Sequence, residues 1–295
     1  MGNFHFSEIL GNSQKLDGGA MFGNAPRTVW QKWIAPDELG RIPLACRALL
    51  VEFTDSSSKK QKILFETGIG AFFEPQMTER FGVQTPQTHC LRENLKAHGV
   101  QLEDITHVVL SHLHFDHAGG TLPTFSEIQA GDNGLLFKNA DYITSREAFA
   151  RAKKPHARDK ASFIPGLVEK LENTQRLRLI DGPEKLLNDR LEFTISHGHT
   201  PGQLHSHFHG DTYSLFFCGD LIPGTPWVHT PITMGYDRFP EMLIDEKQQL
   251  YGKLPFAKTL FYFTHDNEVA AALLKKEDGK IKVAQTFKTP VRQEF

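Results

Sequence analysis

Ser111-His112-Leu113-His114-Phe115-Asp116-His117 sets four metal-competent side chains within six residues. The stretch follows residues 106–111, whose run of large aliphatic side chains reads as a buried strand. A loop just past a strand is where an α/β scaffold carries function. His112 and His114 lie two apart, so an extended backbone points both imidazoles the same way. Asp116 and His117 follow in a turn and face another point, and Gly119-Gly120 lets the backbone reverse. That arrangement suits two neighbouring cations better than one. A lone histidine is usually packed or solvated, but three beside a carboxylate are costly to bury without a partner. Three further candidates stand downstream: His199 in Gly198-His199-Thr200-Pro201-Gly202, Asp220 after Cys218-Gly219, and His265 between Thr264 and Asp266. Each falls at the end of an expected strand or in the turn after it.

The rest of the chain fits an ordinary globular protein. It has 295 residues, 39% hydrophobic and 23% charged, with a formal net charge of −2. Those values exclude a disordered or collagen-like chain, and the charge balance argues against a nucleic-acid partner. Cys46, Cys90 and Cys218 are far apart and outside any C-x-x-C pattern, so they read as free thiols of a reducing compartment. The N-terminus lacks the pattern of a secretory signal, and nothing approaches the roughly 18 apolar residues of a membrane span. A cytoplasmic protein with no membrane partner is the expectation.

Strands are expected at 44–53, 62–66, 106–111, 191–196, 214–218, 259–263 and 281–284, and a strand running into a helix at 141–150. Helices are expected at 90–98, 164–173, 241–252 and 268–275. Residues 1–40, rich in glycine with aromatics between, read as an irregular arm. Strands and helices alternate throughout without a linker, so residues 1–295 read as a single α/β domain.

With these residues in place, the sequence resembles the metallo-β-lactamase-fold hydrolases. The H-x-H-x-D-H motif at 112–117, followed in order by His199, Asp220 and His265, carries the resemblance, which runs from about residue 40 to the end. It implies a four-layer αββα sandwich with a dinuclear site at one edge. His112, His114 and His199 would bind the first metal, Asp116, His117 and His265 the second, and Asp220 would bridge them. The aspartate at the bridging position disfavours the β-lactamase branch, which uses cysteine there. His112-Leu113-His114-Phe115-Asp116-His117-Ala118-Gly119-Gly120 and the segment 145–149 are similar to the N-acyl homoserine lactone lactonase and organophosphate hydrolase branch. Three positions depart from it. Gln203 stands where lactonases often carry a second histidine, and Leu221-Ile222-Pro223 follows Asp220 where a tyrosine is usual, Tyr236 being the nearest later one. Glu66 takes a place where aspartate is usual.

The donor set favours zinc, with iron, manganese and cobalt as alternatives. Two cations sharing a water lower its pKa toward about 7, giving a bridging hydroxide nucleophile, and Asp116 has a second role in passing a proton to the leaving group. The leading function is lactone opening on a substrate with an apolar acyl or aryl group. A phosphotriesterase or arylesterase is the alternative, and a non-catalytic metal- or ligand-binding module is a remote one. Met21, Phe22, Trp30, Trp33, Phe72, Phe73 and Trp227 form either a substrate groove, a packed loop or a homodimer contact. Asp266 reads as a partner of His265 or as a cap. His205, His207 and His209 alternate on one face of a strand, either as a metal site or as an exposed strand edge.

Overall fold

The computed structural model describes residues 4–55, 57–187, 189–288 and 291–294. They build two seven-stranded sheets. The first holds β1 (His5–Asp17), β2 (Arg41–Thr54), β3 (Lys60–Phe65), β4 (His107–Val109), β5 (Asp141–Ser145) and β6 (Leu177–Ile180), with the C-terminal strand Val291–Glu294 beside β1. The second holds β7 (Glu184–Leu186), β8 (Leu191–Ser196), β9 (Gln203–His209), β10 (Ser214–Phe217), β11 (Thr259–Tyr262), β12 (Ala271–Glu277) and β13 (Lys280–Phe287). By contact the chain forms two compact units. One comprises Met1–Gln14, Ala45–Asp181 and Val291–Glu294, the other Lys15–Leu44 and Gly182–Pro290. Among the described residues no helix is long and apolar enough to cross a membrane.

In the first unit β3, β4, β5 and β6 run parallel, with Phe65 opposite Val109 and Val109 opposite Ile143. Leu64, Val108, Leu110 and Tyr142 are buried in one core with Leu91 and Leu95 of the helix Cys90–Ala97. Parallel strands covered on both faces read as continuous apolar runs, which is why residues 106–111 were legible. The second sheet is antiparallel except for β10 beside β11, where Phe217 faces Tyr262.

The first 17 residues are not an irregular arm: β1 occupies most of them, and short helices Gly18–Phe22 and Arg27–Trp30 follow. Gly11 and Asn12 hide the strand's alternation. A Cβ on Gly11 would lie 2.7 Å from the Thr67 carbonyl oxygen. Asn12 adopts φ 93° while its amide donates to the Gly70 and Thr85 carbonyls at 3.1 Å each. Residues 268–275, expected as a helix from their Ala, Leu and Lys content, instead enter β12. Asp278 and Gly279, at φ 51° and 75°, turn the chain tightly so that Glu277 pairs with Lys280 and β13 returns along β12. The hairpin overrides helix propensity.

In the second unit most of the loop aromatics pack against one another, while Trp33 is 40% exposed and lines a surface pocket with Pro226 and His229. Phe22 stacks 4.6 Å from Trp227 and 5.6 Å from Trp30, and both Phe22 and Trp227 are 0% exposed. In the first unit Phe72 and Phe73 pack with Phe81 and Phe115.

Candidate metal-binding site

In the first unit the candidates stand at the carboxyl ends of adjacent parallel strands, where open α/β sheets present their ligands. Glu66 follows β3, and the segment 110–117 follows β4. The His112 Nδ1 pairs with Ser111 Oγ at 2.9 Å, and its Nε2 stands 3.0 Å from His114 Nδ1. His114 is held by a β-bridge to Phe163, whose ring lies 4.9 Å away. Phe115–Ala118 forms one helical turn that carries Asp116 and His117. The His112 and His117 rings are 4.1 Å apart, and His117 Nδ1 lies 3.6 Å from Glu66 Oε1. Glu66, His112 and His117 each present one ligand atom, all within 4.8 Å of one another and all buried.

The loop is tied down by backbone contacts that demand glycine. The His117 carbonyl accepts from the Thr67 N–H at 2.9 Å and from Thr67 Oγ1 at 2.8 Å. A Cβ on Gly120 would lie 2.1 Å from the Thr67 carbonyl oxygen, and one on Gly119 2.3 Å from that of Ile69. The two glycines therefore serve close approach rather than a simple reversal, inside a 3₁₀ turn at Gly119–Thr121. Gln14 Nε2 donates to Asp116 Oδ2 at 2.7 Å, committing one oxygen of that carboxylate.

In the second unit Asp220 follows β10 and His265 follows β11, so the one parallel pair of that sheet brings them together. Asp220 Oδ2 lies 3.2 Å from His199 Nε2, and its Oδ1 lies 3.1 Å from His265 Nε2. One oxygen thus faces each imidazole. On its other side His199 Nδ1 lies 2.9 Å from Asp237 Oδ1, while Asp237 Oδ2 accepts from the Met234 N–H at 2.6 Å. With a cation held between His199 Nε2 and Asp220, the proton of the ring belongs on Nδ1, donated to Asp237. Glu246, from the helix Pro240–Lys253, accepts the N–H groups of His197 and Gly198 at 2.6 and 3.0 Å. Burial pushes its carboxyl above the usual range. A Cβ on Gly198 would lie 2.5 Å from Leu243 of the same helix, so that glycine also serves close approach.

The remaining expectations divide. Gln203 is 0% exposed. With its amide assigned from the two donors that face it, its oxygen accepts from the N–H groups of Asp220 and Leu221 at 2.9 and 3.2 Å. It therefore fixes the backbone of Asp220 from the position where the resembled lactonases often carry a histidine. Asp266 is a cap: its Oδ1 accepts from Glu268 and Val269 N–H, and its Oδ2 from Thr225 N–H and Oγ1. His197 Nδ1 accepts from the Gly202 N–H at 3.3 Å and ties its own loop. His89 is buried, and its ring accepts from the Arg92 N–H to cap the helix Cys90–Ala97. Tyr236 is 37% exposed. Gln14, Asp237 and Glu246 went unread because each reaches its partner across many residues, with no local pattern to mark it.

The donor chemistry fits a divalent cation. Imidazoles and carboxylates gathered together are what zinc-class ions bind. Among the described residues Glu66 Oε2 is buried with no hydrogen-bond partner, an atom whose desolvation calls for a positive charge nearby.

Comparison with known proteins agrees with this architecture. Residues 41–127 match the profile of the Metallo-beta-lactamase superfamily. An N-acyl homoserine lactonase of Bacillus sp is 27% identical over 185 residues, 57% of this chain and 59% of that protein. The match thus spans about three-fifths of the length of the curated relative. A probable metal-dependent hydrolase from Staphylococcus aureus superposes with TM-score 0.84 at 23% identity, covering 100% of this chain and 99% of the other. AidC, a dizinc quorum-quenching lactonase, superposes with TM-score 0.73 at 20% identity, covering 97% of this chain and 96% of the other.

Proposed function

We propose that this chain, which carries a metallo-beta-lactamase superfamily domain on the fold of that superfamily, is a dinuclear-metal hydrolase that opens lactone rings, with N-acyl homoserine lactones as its substrate class. The donor set would be His112, His114, Asp116 and His117 from the first unit, and His199, Asp220 and His265 from the second. The observation that carries this reading is Asp220, which turns one oxygen to His199 and the other to His265, the disposition a bridging carboxylate needs. The lactonase relative of Bacillus sp supports the substrate class.

When bound, divalent cations, zinc by preference, supply Lewis acidity and activate water at neutral pH. The chain's own residues do the rest. Asp237 holds His199 in one tautomer. Gln203 fixes the backbone that presents Asp220. Gln14 anchors one Asp116 oxygen, which sets the carboxylate in position to carry a proton to the leaving alkoxide. An aryl ester or phosphotriester is the second reading. It is favoured by Leu221-Ile222-Pro223, which follows Asp220 in the stretch where lactonases carry a tyrosine and whose Leu221 and Ile222 are buried.

The test is proton release by zinc-loaded protein over a panel of N-acyl homoserine lactones, simple lactones, aryl esters and phosphotriesters, with His112→Ala as the blank. Saturable lactone opening lost in the variant is the expected result. Activity on aryl esters or phosphotriesters alone transfers the assignment to the second reading. No activity from fully metallated protein on any of them overturns both.

A further inference from the structure

The three histidines of β9 are not on a sheet edge. β9 lies between β8 and β10, with Glu192 directly opposite His207 and Ser214 opposite His209. Alternation sends His205, His207 and His209 to one face, together with Glu192 and Phe216 of the neighbouring strands. These side chains line a cavity of about 450 Å³, closed on the other side by Gln249, Leu250 and Lys253 of the helix Pro240–Lys253.

Within it, the His207 and His209 rings are 4.0 Å apart, and His209 Nε2 lies 3.1 Å from Glu192 Oε2. The His207 Nε2 is buried and has no hydrogen-bond partner among the described residues. One ligand atom from each of Glu192, His207 and His209 lies within 4.8 Å of the other two. His207 thus carries an unpartnered buried nitrogen on a ring that stands beside a second imidazole and a carboxylate, an arrangement that a bound cation would satisfy.

We propose that Glu192, His207 and His209 form a second, separate site for a zinc-class divalent cation on the second unit. Two imidazole nitrogens and one carboxylate oxygen are the ligands of a borderline ion rather than of calcium or magnesium. Ligands about 2.0–2.1 Å from a tetrahedral ion stand ~3.3 Å from each other, so the three side chains would have to draw together on binding. The fourth position opens on the cavity and takes water or a small ligand. Glu246 and Lys253 are the charged groups of the helix that line the cavity. The site shares no residue with the donor set of the proposed hydrolase, so it stands or falls independently of that function.

The test is equilibrium dialysis of the full chain, stripped of metal, against Zn²⁺ at micromolar free concentration. Wild type is compared with His207→Ala, His209→Gln and Glu192→Gln, each checked for folding by circular dichroism. The expected result is one zinc fewer at saturation in each variant, with unchanged hydrolytic activity. In His112→Ala the equivalent assigned to this site persists, and the ring ¹⁵N resonances of His207 and His209 shift on adding Zn²⁺. If His207→Ala unfolds, Glu192→Gln, at a half-exposed position, carries the comparison. Equal zinc content in wild type and every folded variant overturns the proposal, as does binding only in the millimolar range.

Discussion

Replacing Asp237 with asparagine should weaken zinc binding 10- to 100-fold with little change in folding. Asp237 is 2% exposed, and its two oxygens meet two donors, His199 Nδ1 at 2.9 Å and the Met234 N–H at 2.6 Å. Asparagine keeps the shape but offers one acceptor and one NH₂ group, so it cannot accept from both. The shorter contact, to Met234, belongs to a fixed backbone donor and keeps the oxygen. The NH₂ then faces His199 and drives its proton from Nδ1 to Nε2, the nitrogen that faces Asp220. A metal must displace that proton before it can bind. Losing a hydrogen bond to a charged group costs about 1.5–3 kcal/mol. That range corresponds to roughly 10- to 100-fold at 1.4 kcal/mol per decade, the scale on which partners of metal-ligating histidines act. Competition with a chromophoric zinc chelator reads the affinity, and urea denaturation of the metal-free protein controls for folding. Affinity within twofold of wild type would refute the argument that Asp237 sets the His199 tautomer.

Three further outcomes follow from the packing. Gly120→Ala drives a Cβ to 2.1 Å from the Thr67 carbonyl oxygen. It should cost about 1–3 kcal/mol in urea denaturation and displace the 112–117 loop, and wild-type stability would contradict it. Phe22→Ala removes the ring stacked on Trp30 and Trp227 and should cost about 3–5 kcal/mol; a loss below 1 kcal/mol would show that the site collapses. Lys247 is 0% exposed, donates to the Trp227 and Ile232 carbonyls at 2.8 and 2.6 Å, and has its pKa lowered by burial to about 7. Between pH 7 and about 10.4, its pKa in the unfolded chain, the unfolded state holds one proton more, so this group makes stability rise with pH, by at most about 1.4 kcal/mol per pH unit. Lys247→Met should flatten the rise measured between pH 7 and 9, and an unchanged slope would exclude Lys247 as its source.

The part of the candidate site that was legible is the part written locally. His112, His114, Asp116 and His117 lie within six residues of chain, and their spacing alone placed two imidazoles side by side; His199, Asp220 and His265 were singled out because each follows an expected strand. Their partners were not legible. Gln14 reaches Asp116 across 102 residues and Asp237 reaches His199 across 38, and nothing near either position marks it as polar and buried. Glu66 was visible only as a departure from the resembled pattern. The fold failed to read where tertiary contacts outweighed local preference. β12 looks helical until the Asp278-Gly279 turn pairs it with β13, and β1 looks irregular because Gly11 and Asn12 serve neighbours rather than alternation. The aromatic residues in loop-like sequence could not be divided between groove and packed loop from sequence: Phe22 and Trp227 bury each other, whereas Trp33 stays exposed at a pocket.

The most direct measurement is a zinc titration of metal-free protein in which bound metal and N-acyl homoserine lactone hydrolysis are recorded in the same samples. The account predicts no hydrolysis without metal, activity that rises with bound zinc to a plateau, and neither full loading nor activity in His112→Ala. Hydrolysis undiminished in metal-free protein, or none from fully loaded protein on lactones, aryl esters and phosphotriesters alike, would contradict it.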